Sequence, residues 1–168
     1  IDEIERTVDE LEAKVEKAHS EVDFERSADI LRDGINSYLN YINQSKPNAW
    51  SQGEVSIRLK DREYAIRVAG KNWHKLGGTL SLYLLIGYHY ALMTLMSQPQ
   101  CRFPGLCILD FPAQLEGTSV EDRENFVLEP FVDLLSKQDM GNTQLIAAGS
   151  AFEGLPAANR IELTNIWK

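Results

Sequence analysis

Two short segments of the sequence combine residue types that can bind a phosphate group or a metal ion. The first is L-C-I-L-D at 106–110, an apolar run without alternation, which predicts a central strand buried on both faces and ending at Asp110. In α/β proteins, ligands bind at the carboxyl edge of the strands, so this carboxylate is a candidate binding group. A turn or helix-capping aspartate is the alternative.

The second segment is L-G-G-T at 76–79, which precedes a long apolar stretch. Gly77 and Gly78 have no side chains, so backbone N–H groups can approach a phosphate closely. The helix predicted to begin at Thr79 adds the positive end of its dipole. Two adjacent glycines are also typical of an ordinary turn, and both interpretations stay open.

An α/β core must position these two segments. The apolar run Gln144–Ala148 predicts a second buried strand, and a crossover helix is predicted between about 119 and 137. Pro130 should kink or interrupt that helix. Strand, helix and strand in this order predict parallel pairing. A terminal strand is predicted near 160–163.

A hairpin and a helix are predicted between the N-terminal region and the two buried strands. Apolar and polar residues alternate at 55–60 and again at 64–68, which indicates a β-hairpin with one wet face. From 79 to 97, apolar residues occupy every face of a predicted helix, which should be nearly buried. Because it carries His89, several tyrosines and serines, we expect a buried helix rather than a membrane span.

The first 22 residues follow a heptad pattern with an apolar residue at every first and fourth position. This period predicts a narrow seam that packs on one other helix. The pattern broadens after Leu31, and one helix over about 1–44 would be roughly 65 Å long. We interpret 1–46 as a coiled-coil arm end and 47–168 as a globular lobe. An ordinary surface helix is the alternative.

Composition narrows the function classes. The 168 residues carry a net charge of −8, with 43% hydrophobic and 25% charged residues, which is typical of a globular domain. This charge argues against a large phosphate-binding face on this chain alone, though not against DNA binding by a larger assembly. Cys101 and Cys107 are expected to be reduced thiols of a cytoplasmic protein. We expect no signal peptide, and we expect the chain to be a segment of a longer protein.

The order of these features resembles the C-terminal lobe of an SMC-like ATPase head of the ABC class, from the chromosome-maintenance and double-strand-break-repair proteins. The features are a coiled-coil end, a hairpin, G-G at a helix start, L-D-x-P-x-Q after a strand, and a later Q-L-I strand. The resemblance covers about residues 1–165 and rests on order more than on strict motifs. It implies an α/β ATPase-head lobe with an N-terminal coiled-coil helix and a β-hairpin.

The resemblance also implies ATP and Mg²⁺ as cofactors. Asp110 corresponds to the family's carboxylate that supports the Mg²⁺ bridging the β- and γ-phosphates. Gly77 and Gly78, followed by Thr79, match the signature loop that contacts a nucleotide across a dimer. Ser150 stands where the family has its switch histidine. A serine can donate a hydrogen bond to a phosphate but cannot carry positive charge.

Other positions depart from the family pattern. Phe111 stands where the family has the glutamate that activates water, and a phenyl ring cannot act as a general base. On the following loop, Glu116 is a candidate replacement for that base and Gln114 a candidate for orienting the water. A solvated loop glutamate is the alternative for Glu116. Leu76 replaces the signature serine, so one hydroxyl donor is missing. Thr79 and Ser81 are the candidates to replace it.

The phosphate-gripping lysine loop must lie outside this chain, because Gly70-Lys71 fails the P-loop pattern at Ala65 and Asn72. The resemblance therefore implies an N-terminal ATPase lobe, an antiparallel coiled-coil strand and a homodimer formed through the heads. DNA would be bound through the full assembly, with no membrane involved. The implied location is cytoplasmic, associated with the nucleoid, or nuclear in a eukaryote.

The implied function is ATP binding in DNA maintenance, repair or defence. Whether hydrolysis survives the departures stays open, and this chain alone should have no ATPase activity. The alternative is a non-catalytic module that keeps the shape of the head and uses its coiled coil as a tether.

Overall fold

The computed structural model describes residues 2–20, 24–60, 63–96, 104–110, 125–137, 140–149, 155 and 158–161. Within these ranges it is a mixed α/β structure with four α-helices and two small sheets, which confirms the predicted class at that level. The helices are α1 (Asp2–Ser20), α2 (Phe24–Ser45), α3 (Gly78–Met96) and α4 (Asn125–Leu135). The strands are β1 (Val55–Lys60), β2 (Glu63–Val68), β3 (Lys71–Asn72), β4 (Leu106–Asp110) and β5 (Gln144–Ala148).

Helix α2 forms the centre of the core. Its buried residues recur at the spacing of one helix face, which is why it packs as an amphipathic helix against α3, β1 and α4. They include Ile35, Tyr38, Leu39 and Ile42, each at most 1% exposed. The broader apolar pattern after Leu31 therefore marks a helix that belongs to the globular body.

Two asparagines of α2 join it to the backbone of the following segment. The Asn36 amide donates to the Val55 carbonyl and accepts from the Val55 N–H, both at 3.0 Å. Asn43 makes the same pair of bonds with Trp50, at 2.8 and 2.7 Å. Since β1 is an edge strand, Asn36 satisfies backbone groups that no neighbouring strand reaches.

The predicted hairpin is confirmed: β1 and β2 pair antiparallel, from Val55 opposite Val68 to Lys60 opposite Glu63. The sequence did not predict β3, which pairs with β2 through a two-residue turn at Ala69 and Gly70. These residues have φ of 47° and 77°. Two positive values are typical of the type I′ turn, whose twist matches that of the strands.

Strands β4 and β5 pair in parallel, as predicted. The structure sets their register, from Leu106 opposite Gln144 to Asp110 opposite Ala148. The prediction of burial on both faces was wrong. Cys107 and Leu109 are buried, whereas three apolar side chains on the other face are exposed. These are Leu106 (40%), Ile108 (61%) and Ile146 (45%). Within the described part of the chain, only one face of this two-stranded sheet is covered.

Helix α3 is less buried than its composition predicts. Its buried residues include Leu84, Ala91 and Met93, but Leu85 is 40% exposed. Of the described helices, α3 is the one whose length and apolar content would let it cross a membrane, with 33% of that stretch buried. A single such helix is weak evidence for a span, since a core helix has the same properties.

Helix α4 is continuous through Pro130, so the predicted interruption does not occur, and the predicted kink stays a prediction. A proline removes one N–H from the helix ladder, and here its ring is buried in the core. The predicted start of this helix, 119–124, lies outside the described residues. Arg160 and Ile161 belong to no strand, and the rest of the predicted terminal strand also lies outside the described residues.

The apolar seam of α1 is exposed to solvent. Ile4 (71%), Val8 (45%), Leu11 (55%) and Val15 (55%) follow the predicted heptad spacing. The predicted single helix over 1–44 is described as two helices, and residues 21–23 between them lie outside the described residues. The exposed seam has the residue period that coiled-coil strands use, and the predicted coiled-coil arm stays a prediction.

Candidate functional site

The loop that opens α3 is held by three local hydrogen bonds. Leu76 N–H donates to the Trp73 carbonyl at 3.0 Å, and Ser81 N–H donates to the Gly77 carbonyl at 2.9 Å. The Ser81 hydroxyl donates to the Leu76 carbonyl at 3.3 Å. Because its proton is used inside the loop, Ser81 is not free to replace the missing signature serine as a donor. Thr79 remains, and it is exposed.

Local packing does not explain why positions 77 and 78 are glycines. A β-carbon built on Gly77 or Gly78 would meet no other part of the described structure within 4 Å. Neither glycine has positive φ, in contrast to Gly53, Gly70 and Gly105. The glycines therefore leave open space in front of the first turn of α3, whose N–H groups have no partners inside the helix.

Asp110 is the last residue of β4 and is exposed at the carboxyl end of the parallel pair. Its carboxylate makes no hydrogen bond or ion pair with the described residues. No group of three or more His, Cys, Asp or Glu side chains among those residues could hold a metal ion. A Mg²⁺ ion at Asp110 fits only with one protein carboxylate and phosphate oxygens or waters as its other ligands, an arrangement that Mg²⁺ commonly adopts.

The remaining predicted site residues lie outside the described residues. They are Phe111, Gln114, Glu116 and Ser150. Their roles stay predictions. The sequence places Phe111 directly after β4, and Ser150 two residues after Ala148, which pairs with Asp110. Both therefore follow strands that end at the same edge of the sheet.

The two predicted binding elements lie on different parts of the fold, and no described hydrogen bond joins Asp110 to the 77–79 loop. Asp110 ends a strand of the parallel sheet, whereas the loop connects the hairpin sheet to α3.

Sequence reasoning missed a cleft on the segment that precedes the glycine loop. It lies between β2, β3 and the short 3₁₀ helix Trp73–Lys75, and has a volume of about 410 Å³. Arg67, Lys71, Asn72 and Lys75 line it together with Glu63. The negative net charge of the whole chain gave no indication of this local group of cations. The local excess of lysine and arginine between 54 and 75 was the available signal.

The titrating groups near the core respond to burial. Burial raises the pKa of the Cys107 thiol, which is free, so this cysteine stays protonated and unreactive at neutral pH. Burial lowers the pKa of His89 on α3, which favours its neutral form. Neither group has the depressed thiol pKa or the charged partner expected of a catalytic nucleophile or base.

Comparison of the chain with protein-family models, with curated protein sequences and with solved structures finds no match. The functional assignment therefore rests on the residues and on their geometry.

Proposed function

We propose that this chain is the C-terminal half of an SMC-like ATPase head, which completes a composite nucleotide site in DNA maintenance, repair or defence. Asp110 would support the Mg²⁺ of its own head. Gly77, Gly78 and Thr79 would contact the nucleotide held by a second head. Bound ATP–Mg²⁺ would supply the phosphate charge that holds the two heads together.

The observation that carries this proposal is the incomplete parallel sheet that ends at Asp110. Parallel sheets are almost always covered on both faces, because their strands are apolar on both sides. Here Leu106, Ile108 and Ile146 present an uncovered apolar face. An N-terminal lobe packed on this face would cover it. Such a lobe would also place a phosphate-gripping loop near the carboxyl edge of the sheet.

The glycine loop supports the second half of the proposal. Among the described residues, Gly77 and Gly78 have neither a packing reason nor a backbone reason, so a ligand or partner that approaches the backbone closely would explain them. The open first turn of α3 presents N–H groups and the positive end of the helix dipole. Both groups favour a phosphate.

The chain alone should bind ATP only weakly. A helix dipole and exposed backbone donors contribute about 1 kcal/mol or less at an exposed site, which is too little to hold a highly charged nucleotide. The proposal therefore requires the N-terminal lobe with its lysine loop.

Isothermal titration tests the proposal directly. The chain is titrated with ATP–Mg²⁺ alone, and then after assembly with a lobe that carries a Walker A sequence, sought in the same reading frame. We expect binding only in the assembly. Asp110→Ala should weaken the binding of ATP–Mg²⁺ more than that of ATP in a chelator. Tight ATP binding by the isolated chain would contradict the placement of the site, and an equal loss with and without metal would contradict the role of Asp110.

A non-catalytic interaction module is the second candidate function. Leu76, at the position of the signature serine, packs against the hydrophobic core, so this position serves the fold rather than a phosphate. The exposed seam of α1 offers a tether. If the full reading frame holds no Walker A sequence upstream of a coiled coil, the module is favoured and the ATPase proposal fails.

A further inference from the structure

Positive charge is concentrated in one segment of this acidic sequence. Residues 54–75 contain six basic and three acidic side chains, a net charge of +3, so the rest of the chain carries −11. This segment forms β1, β2, β3 and the 3₁₀ helix that leads to the glycine loop. This segment therefore differs in charge from the rest of the chain, which the total of −8 does not show.

The strand register gathers the basic side chains on the outward face of the hairpin sheet and at its edge. Arg67 lies opposite Asn72, and Arg58 lies opposite Ala65. Because side chains two residues apart share a face, Arg58 and Arg67 point to the same side, as diagonal neighbours roughly 7–8 Å apart. The buried apolar residues Ile66 and Val68 face the core instead.

Two lysines lie at the edge of this sheet, beside the outward face. Lys71 is on the edge strand β3 opposite Val68, so it does not share the face of Arg67. Lys71 and Lys75 line the cleft together with Arg67, and all three side chains are exposed. We define Arg58 and Arg67 on the outward face, together with Lys71 and Lys75 at its edge, as the basic face. Within the described part of the chain, salt bridges form on α1 and α2, and none involves these four residues. Glu63 is the acidic residue of the described cleft lining.

We propose that the basic face binds the phosphate backbone of a nucleic acid, without reading its sequence. Unpaired cations beside a polar cleft raise the local concentration of a polyanion and release its counterions on binding. The cations spread over three strands and the 3₁₀ helix, which suits an extended chain of phosphates better than one enclosed nucleotide. This inference does not rest on ATP binding, and its test contains no nucleotide.

Fluorescence anisotropy with a labelled mixed-sequence DNA duplex of about 20 base pairs tests this proposal, at about 50 mM and about 200 mM salt. We expect wild-type binding in the micromolar range at low salt. The logarithm of the binding constant should fall with the logarithm of salt at a slope of about −3, as expected when three to four phosphates are neutralised.

Two triple variants with equal charge changes separate the basic face from net charge. The first is Arg67→Gln, Lys71→Gln, Lys75→Gln. The second changes exposed cations elsewhere: Arg6→Gln, Lys14→Gln, Lys137→Gln. We expect the first to weaken DNA binding about tenfold or more, and the second less than about threefold. Circular dichroism and thermal unfolding confirm that both variants are folded.

Three results would overturn the proposal. They are no binding by the wild type at low salt, equal losses in the two triple variants, and displacement of the duplex by an equimolar phosphate concentration of inorganic tripolyphosphate. The last result would assign the cleft to a small polyphosphate instead of a polymer.

Discussion

Gly34 of α2 lies directly against Ala91 of α3, so that a β-carbon on Gly34 would come within 2.7 Å of the Ala91 β-carbon and 2.8 Å of its α-carbon. Gly87 of α3 similarly faces the ring of Tyr38, at 2.9 Å. At each contact, a glycine lacks the β-carbon that would otherwise meet the facing helix. The close approach depends on glycine at both positions.

This contact predicts that glycine substitutions in two parts of the molecule change the free energy of unfolding by different amounts. Gly34→Ala should lower the free energy of unfolding by about 1–3 kcal/mol, because the methyl group overpacks the interface with Ala91. Gly77→Ala and Gly78→Ala should change it by less than about 0.5 kcal/mol, since open space surrounds both. Urea unfolding of the three variants measures the difference.

The same pair of loop variants separates a structural role from a functional one. If Gly77 and Gly78 serve a nucleotide, both alanine variants should keep their stability and lose ATP-dependent association of the assembled heads. A loss of stability equal to that of Gly34→Ala would assign these glycines to the fold.

A second prediction concerns the bridge between Asn36 and Val55. Asn36→Ala removes both hydrogen bonds and leaves buried backbone groups without partners, which should cost about 1–3 kcal/mol. Asn36→Asp keeps an acceptor for the Val55 N–H but loses the donor to its carbonyl, so it should retain part of the stability. Equal stability of the alanine variant and the wild type in thermal unfolding would show that water replaces the amide.

A third prediction uses neighbouring residues on opposite faces of β4. Leu109 is 6% exposed and Ile108 is 61% exposed. Leu109→Ala should cost about 2–5 kcal/mol, whereas Ile108→Ala should cost well under about 1 kcal/mol in the isolated chain. In the proposed assembly with an N-terminal lobe, Ile108→Ala should also weaken association. Chemical unfolding and co-purification of the lobes provide the two readouts. A large loss from Ile108→Ala in the isolated chain would mean that this face is already covered.

A fourth prediction concerns alkaline pH. Burial raises the pKa of Tyr38 well above its ordinary value of 10.0. Burial, with a hydrogen bond to Asp133, raises the pKa of Tyr41 to about 12. At a pH between about 10 and these raised pKa values, both tyrosines are neutral in the folded state and ionised in the unfolded state. Their contribution to stability is therefore complete below about pH 10 and is lost as the pH rises further.

Urea midpoints between about pH 8 and about pH 11 measure this loss. Tyr38→Phe should be less stable at neutral pH by about 1 kcal/mol, because the hydroxyl donates to the Val127 carbonyl at 3.2 Å. Its stability should nevertheless fall less steeply with rising pH than that of the wild type. Parallel pH profiles for the two proteins would assign the alkaline loss to other groups.

The sequence by itself determined the elements whose signal is local. The alternation at 55–60 and 64–68 predicted the hairpin, and the apolar runs at 106–110 and 144–148 predicted β4 and β5 with their observed bounds. Parallel pairing followed from the chain order of strand, helix and strand. The chain order also indicated that Asp110 would end a strand at a carboxyl edge.

Only the tertiary structure decided which faces are covered and which charges meet. An unbroken apolar run cannot tell whether a second layer is present, so the exposure of Ile108 was not predictable. The basic face depends on a turn at Ala69 with positive φ and on a strand of two residues, Lys71–Asn72. Such short elements form because neighbouring strands hold them, and periodicity does not detect a strand that short. The contact of Gly34 with Ala91 joins residues far apart in the chain, which only the packing of α2 on α3 brings together.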